Sequence, residues 1–212
     1  ESLQQIDKNF AAWDRDSNGD LSVPEIDTAE ANAQVTGNAA AALAALKRAS
    51  RISKYNITTL KKDQITELAK GKPADDKPDL SGMYAQGASR LGKLTKRDLF
   101  ADGGPRLGTI HQGRLGNCFC LAPLGSLVHR DPQQVVAMFT KLDDGTYRVT
   151  HGKNSCTIAP PTDTEIARTA TNEDAGLWVN MYEKAIGKLR NDAKPEAERA
   201  GSPIDALARG GS

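Results

Sequence analysis

Twelve residues near the N-terminus constrain this chain more than any other stretch. Asp14-Arg15-Asp16-Ser17-Asn18-Gly19-Asp20-Leu21-Ser22-Val23-Pro24-Glu25 sets oxygen-bearing residues at positions 1, 3, 5, 7, 9 and 12 of a short loop. Asp14, Asp16 and Asn18 offer side-chain oxygens. Asp20 offers its backbone carbonyl, Ser22 a hydroxyl acting through water, and Glu25 a carboxylate that can bind with both oxygens. A hard divalent cation takes six to eight oxygens, and this spacing supplies them from one turn of chain. Gly19 stands where the loop must bend sharply, in a backbone region that penalises a β-carbon.

The pattern is that of an EF-hand loop, with calcium as the expected ion. An acidic surface turn would need fewer of these matches and no apolar flank. Here Leu3, Ile6, Phe10 and Trp13 mark one face of an amphipathic helix over residues 2–13, leading into the loop. Leu21, at position 8, is expected to point inward and pair with a second loop. Ile57-Thr58-Thr59-Leu60 and Leu94-Thr95-Lys96-Arg97-Asp98 both resemble the second half of such a loop but lack acidic residues before them. One calcium loop with one or two degenerate partners is the expectation.

Charge excludes some partners. The chain carries 28 Lys and Arg against 27 Asp and Glu, a net charge of +1, which gives no electrostatic case for nucleic acid or an anionic membrane. No apolar run approaches the roughly 18–20 residues of a membrane span, and no signal-peptide pattern is visible. The sequence starts at Glu1 rather than Met, as expected of an excerpted chain or a processed product, which leaves room for a removed signal. Three cysteines, two of them separated by one residue, fit neither a disulfide scaffold nor a metal site.

Helical patterns continue over residues 26–50, as one or two helices, and over Leu60–Lys70 with a cap at Thr58 or Thr59. Gly71 to Pro78 combines two prolines with charge and reads as a linker. Leu94 to Phe100 reads as a helix start. Cys118 to Val128 is dense in apolar residues, as in a mostly buried helix. Asp131 is set to cap a second helix with Pro132 at its first position. Gly145–Thr150 alternates like a strand, with Cys156–Ile158 as its partner. Leu177, Trp178, Met181, Tyr182, Ala185, Ile186 and Leu189 recur at helical spacing, and the tail from Asn191 is polar.

Ile110-His111-Gln112-Gly113-Arg114-Leu115-Gly116-Asn117-Cys118-Phe119-Cys120-Leu121-Ala122 carries the second chemistry. A glycine-bearing loop delivers Cys118 onto the first turn of an apolar helix, where unpaired N–H groups favour a thiolate. The Gln112 amide can turn to the same point and, with the Cys118 N–H, form an oxyanion hole. Cys120 is expected in the core, and Cys156 has no identifiable catalytic neighbour.

This stretch resembles the Gln-Gly-x-Leu-Gly-Asp-Cys motif of calpain-like cysteine proteases. Asn117 stands in place of the more familiar Asp, and Phe119-Cys120 replace the usual Trp-Phe. Leu99-Phe100 to Gly104-Pro105 and Leu177 to Ala185 are also similar to that family, the latter to a helix that packs behind the site. The likeness spans roughly residues 99–212. Together with the acidic loop and the linker pattern it gives an α+β, mainly α chain: an EF-hand-like region (1–72), a linker with a possible degenerate half-loop (73–98), and, as the resemblance implies, the helical, cysteine-bearing lobe of a papain-like fold with a short β-hairpin (99–212). It further implies a protein or peptide substrate, a cytoplasmic setting, Cys118 as nucleophile and Gln112 as oxyanion donor.

A thiol protease also needs an imidazole base and a group to orient it. In the family these stand on a second, β-rich lobe, and Asp205-Ala206-Leu207 resembles a region before it. His111 adjoins the oxyanion Gln, His129 lies about three turns along the helix from Cys118, and His151 ends a strand, so none is the expected base. The His and Asn would come from a continuation or a second chain. The alternative is an inactive, calcium-responsive binding or scaffold module built on a protease-like lobe.

Overall fold

The computed structural model describes residues 1–71, 74–101, 103–171 and 175–208. The chain is α+β and mainly helical, with two small antiparallel sheets. It divides into two compact units, Glu1–Gly92 with Thr162–Arg168, and Lys93–Pro161 with Thr169–Ser212.

In the first unit, α1 (Ser2–Trp13) buries Ile6, Phe10 and Trp13, which fall on one face at helical spacing. A loop leads to β1 (Asp20–Ser22) and then α2 (Val23–Glu30), which ends at Glu30 and leaves the next helix to begin afresh. A second helix–strand–helix passage follows: α3 (Gly37–Arg51), β2 (Thr59–Lys61) and α4 (Lys62–Lys70). The strands pair antiparallel with Leu21 opposite Leu60, both fully buried. The expected cap of α4 at Thr58 or Thr59 is displaced to Lys61, because Thr59–Lys61 is spent on the strand. The Gln64 side-chain oxygen accepts from the Lys61 N–H at 3.1 Å instead.

The Ala-rich α3 is buried along most of its length, and small side chains let α1, α2 and a late helix approach it closely. That helix, α8 (Asp163–Arg168), arrives from far along the sequence. Thr36 makes no side-chain cap to α3; the Asp163 carboxylate accepts from the Gly37 N–H at 2.9 Å, doing the N-capping from a distance. A buried ion pair links Arg168 to Glu30, and a partly buried one links Lys47 to Asp27. The stretch 73–98, expected as a linker, is helical from Leu80 to Lys93 (α5) and buries Leu80 and Tyr84 in the same core. Of the expected linker Gly71–Pro78, Lys72 and Pro73 lie outside the described residues, as do Gly210–Ser212 of the tail.

The second unit begins irregularly. Leu94–Phe100 is neither the expected helix start nor a strand pairing with the first loop. Its backbone bonds elsewhere: Asp98 O accepts from Leu177 N at 2.9 Å, and Ala101 N donates to Ala175 O at 3.1 Å. Gly176 permits this crossing, since at φ +95° a β-carbon would lie 2.6 Å from the carbonyl oxygens of Asp98 and Leu99.

Helix α6 (Cys118–Arg130) and α7 (Pro132–Ala137) follow, with Asp131 accepting from the Gln133 N–H as the cap of the second. The sheet has order β3 (Phe139–Lys141), β4 (Tyr147–His151), β5 (Asn154–Ile158), with Val149 opposite Cys156. The hairpin was expected; β3 was not. Helix α9 (Trp178–Asp192) runs through the core with Trp178 fully buried, and α10 (Pro203–Leu207) packs against it.

At the α9–α10 crossing a β-carbon on Gly187 would sit 2.1 Å from Pro203 O, whereas at Gly92 in α5 it would meet nothing within 4 Å. Gly187→Ala is expected to lower stability by about 1–3 kcal/mol through overpacking. Gly92→Ala should raise it by about 0.5–1 kcal/mol through helix propensity. Urea unfolding of both variants checks the pair.

Candidate functional site

Two sites emerge, one in each unit. In the first, the loop after α1 folds its carboxylates inward around its own N–H groups. Asp14 Oδ1 and Oδ2 accept from Asn18 N (3.1 Å) and Gly19 N (2.9 Å), and Asn18 Oδ1 accepts from Asp20 N (2.8 Å). Gly19 sits at φ +85° with open space around its α-carbon, so the bend strains no side chain. Glu25 is the third helical residue of α2, fixed by a reciprocal cap: Ser22 Oγ accepts from Glu25 N, and Glu25 Oε2 accepts from Ser22 N at 2.9 Å.

Carboxylate oxygens of Asp14, Asp16 and Glu25 lie within 4.8 Å of one another, close enough to hold a metal ion. Asp14 and Glu25 are buried and Asp16 is exposed, an arrangement with one side open for entry. The side-chain donors are carboxylate and amide oxygens, which suits a hard cation. Ser22 donates its hydroxyl to Glu25 Oε2 at 2.7 Å. Asp20 belongs to β1, where its partner is Lys61.

The backbone N–H of Ser22 holds the Glu25 carboxyl below the usual range. The Ser22 hydroxyl and the N–H groups of Arg15 and Asp16 add to this, against the opposing effect of burial. A depressed pKa means a stabilising contribution that is present above pH 4.5, the unperturbed value, and is lost as pH falls through the folded one.

In the second unit, Cys118 is the first residue of α6 and is exposed. Unpaired N–H groups belong to that first turn by construction of the helix. Gln112 is also exposed and lies on the loop that leads to it. That loop starts at a two-way backbone bridge, His111 N to Thr171 O (2.7 Å) and Thr171 N to His111 O (2.9 Å). At the other end Asn117 is fully buried, and its Nδ2 donates to Glu183 Oε1 at 2.5 Å. Asn117 was legible in the motif, while the part of Glu183 was not; a Glu at a buried position of an apolar helix was the available signal.

The other thiols differ. Cys120 is buried, and burial, with the Glu183 carboxylate adding to it, pushes its thiol up to about 12. Cys156 is also raised by burial, and its Sγ donates to Ala185 O at 3.6 Å. Among the histidines, His151 Nδ1 is 3.4 Å from the Tyr182 hydroxyl, and His129 lines an apolar cavity of about 340 Å³ with Leu107, Ile110, Leu121 and Gly125. No helix among the described residues is long and apolar enough to cross a membrane.

Comparison of the chain with protein-family models, curated proteins and solved structures finds no match to any of them.

Iodoacetamide on the folded chain is expected to label Cys118 and to spare Cys120 until the protein is unfolded, as read by peptide mass mapping. The raised Cys120 thiol contributes stability that is full below pH 9.0, its unperturbed value, and is lost as pH rises towards about 12. Melting temperatures should therefore fall across this window, and less steeply in Cys120→Ala.

Proposed function

We propose that this chain is the calcium-binding, nucleophile-bearing part of a calpain-like cysteine endopeptidase. The observation that carries the reading is the presentation of Cys118. It stands exposed at the start of α6 behind a Gln-Gly-x-Leu-Gly-Asn loop, while Cys120 and Cys156 are drawn into the fold.

In this reading the Cys118 thiolate attacks a peptide carbonyl carbon. The Gln112 amide and the Cys118 N–H receive the oxyanion, and the leaving amine departs with a proton, giving a thioester that water hydrolyses. The base is a His outside the three present here. His129 is about three turns from Cys118 on a straight helix, and His111 is held by its backbone to Thr171.

The loop Asp14–Glu25 is an EF-hand in this reading, with Asp14, Asp16, Asn18, the Asp20 carbonyl and Glu25 as ligands and Ser22 as support. Calcium would supply a charge that ties α1 to α2. Its partner is the metal-less loop that ends in β2, where Ser53, Tyr55 and Ile57 stand in place of Asp14, Asp16 and Asn18 when Leu60 is aligned with Leu21.

A second reading, an inactive calcium-responsive binding module, is favoured by the three histidines, none of which pairs with the thiol. Supplying a lobe that bears His and Asn separates the two: thiol-dependent proteolysis abolished by Cys118→Ala supports the enzyme, and none in the presence of that lobe supports the module.

Calcium binding has its own test. Trp13 adjoins Asp14, so bound terbium should emit on tryptophan excitation and be displaced by calcium. Glu25→Gln is expected to weaken calcium by tenfold or more, which is about 1.4 kcal/mol. Binding unchanged in that variant would remove the loop from the proposal.

A further inference from the structure

The buried polar cluster behind Cys118 reaches Asn117 directly and His111 through Ala170 and Thr171, the residues that precede Cys118 and Gln112. Glu183 and Asn180, one turn apart on α9, are 0% and 2% exposed. Glu183 Oε1 accepts from Asn117 Nδ2 at 2.5 Å, and Oε2 accepts from the Ala170 N–H at 2.9 Å. Asn180 Nδ2 donates to Thr169 Oγ1 at 2.8 Å and to Ala170 O at 2.7 Å. Thr171, the next residue, is the one that bridges to His111.

Asn117 is the residue before Cys118. It sits at the N-cap of α6 yet makes no side-chain cap. Its carbonyl instead starts the helix, accepting from Cys120 N at 2.9 Å and Leu121 N at 3.2 Å, while its side-chain amide is given to Glu183. His111 is the residue before Gln112. One carboxylate thus ties down both ends of the loop Gln112–Asn117, one end directly and the other through Ala170 and Thr171.

We propose that Glu183 is a positioning residue that holds the Cys118 thiol and the Gln112 amide in register across this loop. The inference rests on the protease reading of Cys118 and Gln112. Buried groups restrict motion at high stakes: a carboxylate with two N–H partners is stable, and loss of either leaves an uncompensated polar group. A misplacement of about 1 Å in such a site is enough to cost a large part of the rate.

The geometry also says which substitution should be tolerated. Asn117 Oδ1 is buried with no hydrogen-bond partner among the described residues. In Glu183→Gln the new amide oxygen can keep the Ala170 N–H. Its NH₂ can donate to Asn117 Oδ1 once the Asn117 amide turns over. Both links survive in Glu183→Gln, and neither does in Glu183→Ala.

Two electrophiles applied to the full chain separate positioning from mere accessibility. Iodoacetamide alkylates the Cys118 thiolate by displacement of iodide, with no oxyanion. p-Nitrophenyl acetate acylates it: the S–C bond forms through a tetrahedral oxyanion, p-nitrophenolate leaves, and the thiol proton goes to solvent. The readout is the acylation rate divided by the alkylation rate, with Cys118→Ser as background.

Gln112→Ala, which removes a donor, is expected to lower this ratio by roughly 10²-fold. Glu183→Ala and Asn117→Ala should lower it by about tenfold, and Glu183→Gln should restore it. Asn117→Ala, with the Ala170 bond intact, serves if Glu183→Ala does not fold.

A ratio moved by Gln112→Ala but untouched in folded Asn117→Ala overturns the positioning role alone. A ratio untouched by Gln112→Ala overturns it together with the oxyanion assignment. Loss in Glu183→Gln equal to that in Glu183→Ala also overturns it, since geometry would then not be what Glu183 supplies.

Discussion

Buried polar groups call for partners, and the stretch Pro161–Ala170 is buried at every residue, with Thr164 Oγ1 left without a hydrogen bond among the described residues. Much of this chain's architecture follows from how that demand is met. Within the first unit, Thr162 donates its hydroxyl to Glu30 O at 2.7 Å, Asp163 caps α3, and Arg168 pairs with Glu30. Within the second, Thr169 and Ala170 bond to Asn180 and Glu183. Breaking such a pair leaves a charge stranded in the core, a loss of about 3–5 kcal/mol in comparable cases. The segment is fixed by polar chemistry more than by its few apolar side chains.

The two candidate sites use the same device at smaller scale. In the loop after α1, backbone N–H groups hold carboxylates at the positions a cation would use. In the second unit a single carboxylate arranges backbone around a thiol. In the acidic loop the backbone N–H groups, and not a search by free side chains, set the carboxylates in place, which is the condition for a site built before its ligand arrives.

What could be read from the sequence was whatever depends on local spacing. The acidic loop, the helix over residues 2–13, the cap at Asp131 and the strand that ends at His151 all follow periodicities that sit within one stretch of chain. Helix α5 could not be read so easily, since Gly82, Gly87 and Gly92 make it look like a poor helix. The structure packs Gly87 against Ala167 and Ala41, where a β-carbon would meet them at 3.4–3.5 Å, an ordinary contact distance. Leu94–Phe100 misled in the opposite sense, with helix-forming residues whose backbone is claimed by Ala175 and Leu177. Asp163 and Glu183 act on residues 126 and 66 positions away, where no window of sequence could connect them. The absence of any matching family or structure leaves the thiol assignment on its motif and its exposure, while the acidic loop also has its converging oxygens.

The late arrival of α8 in the first unit has a consequence for how the chain is made. Residues 1–92 cannot complete their own unit as they leave the ribosome, because the cap for α3 and the counter-charge for Glu30 are still to be synthesised. Until Asp163 and Arg168 emerge, α3 lacks that cap and Glu30 lacks that counter-charge. Contacts that close so long a loop are slow to form, so the order of synthesis and the order of folding part company here. Cutting the gene after Gly92 would yield a chain that lacks a piece of its own core.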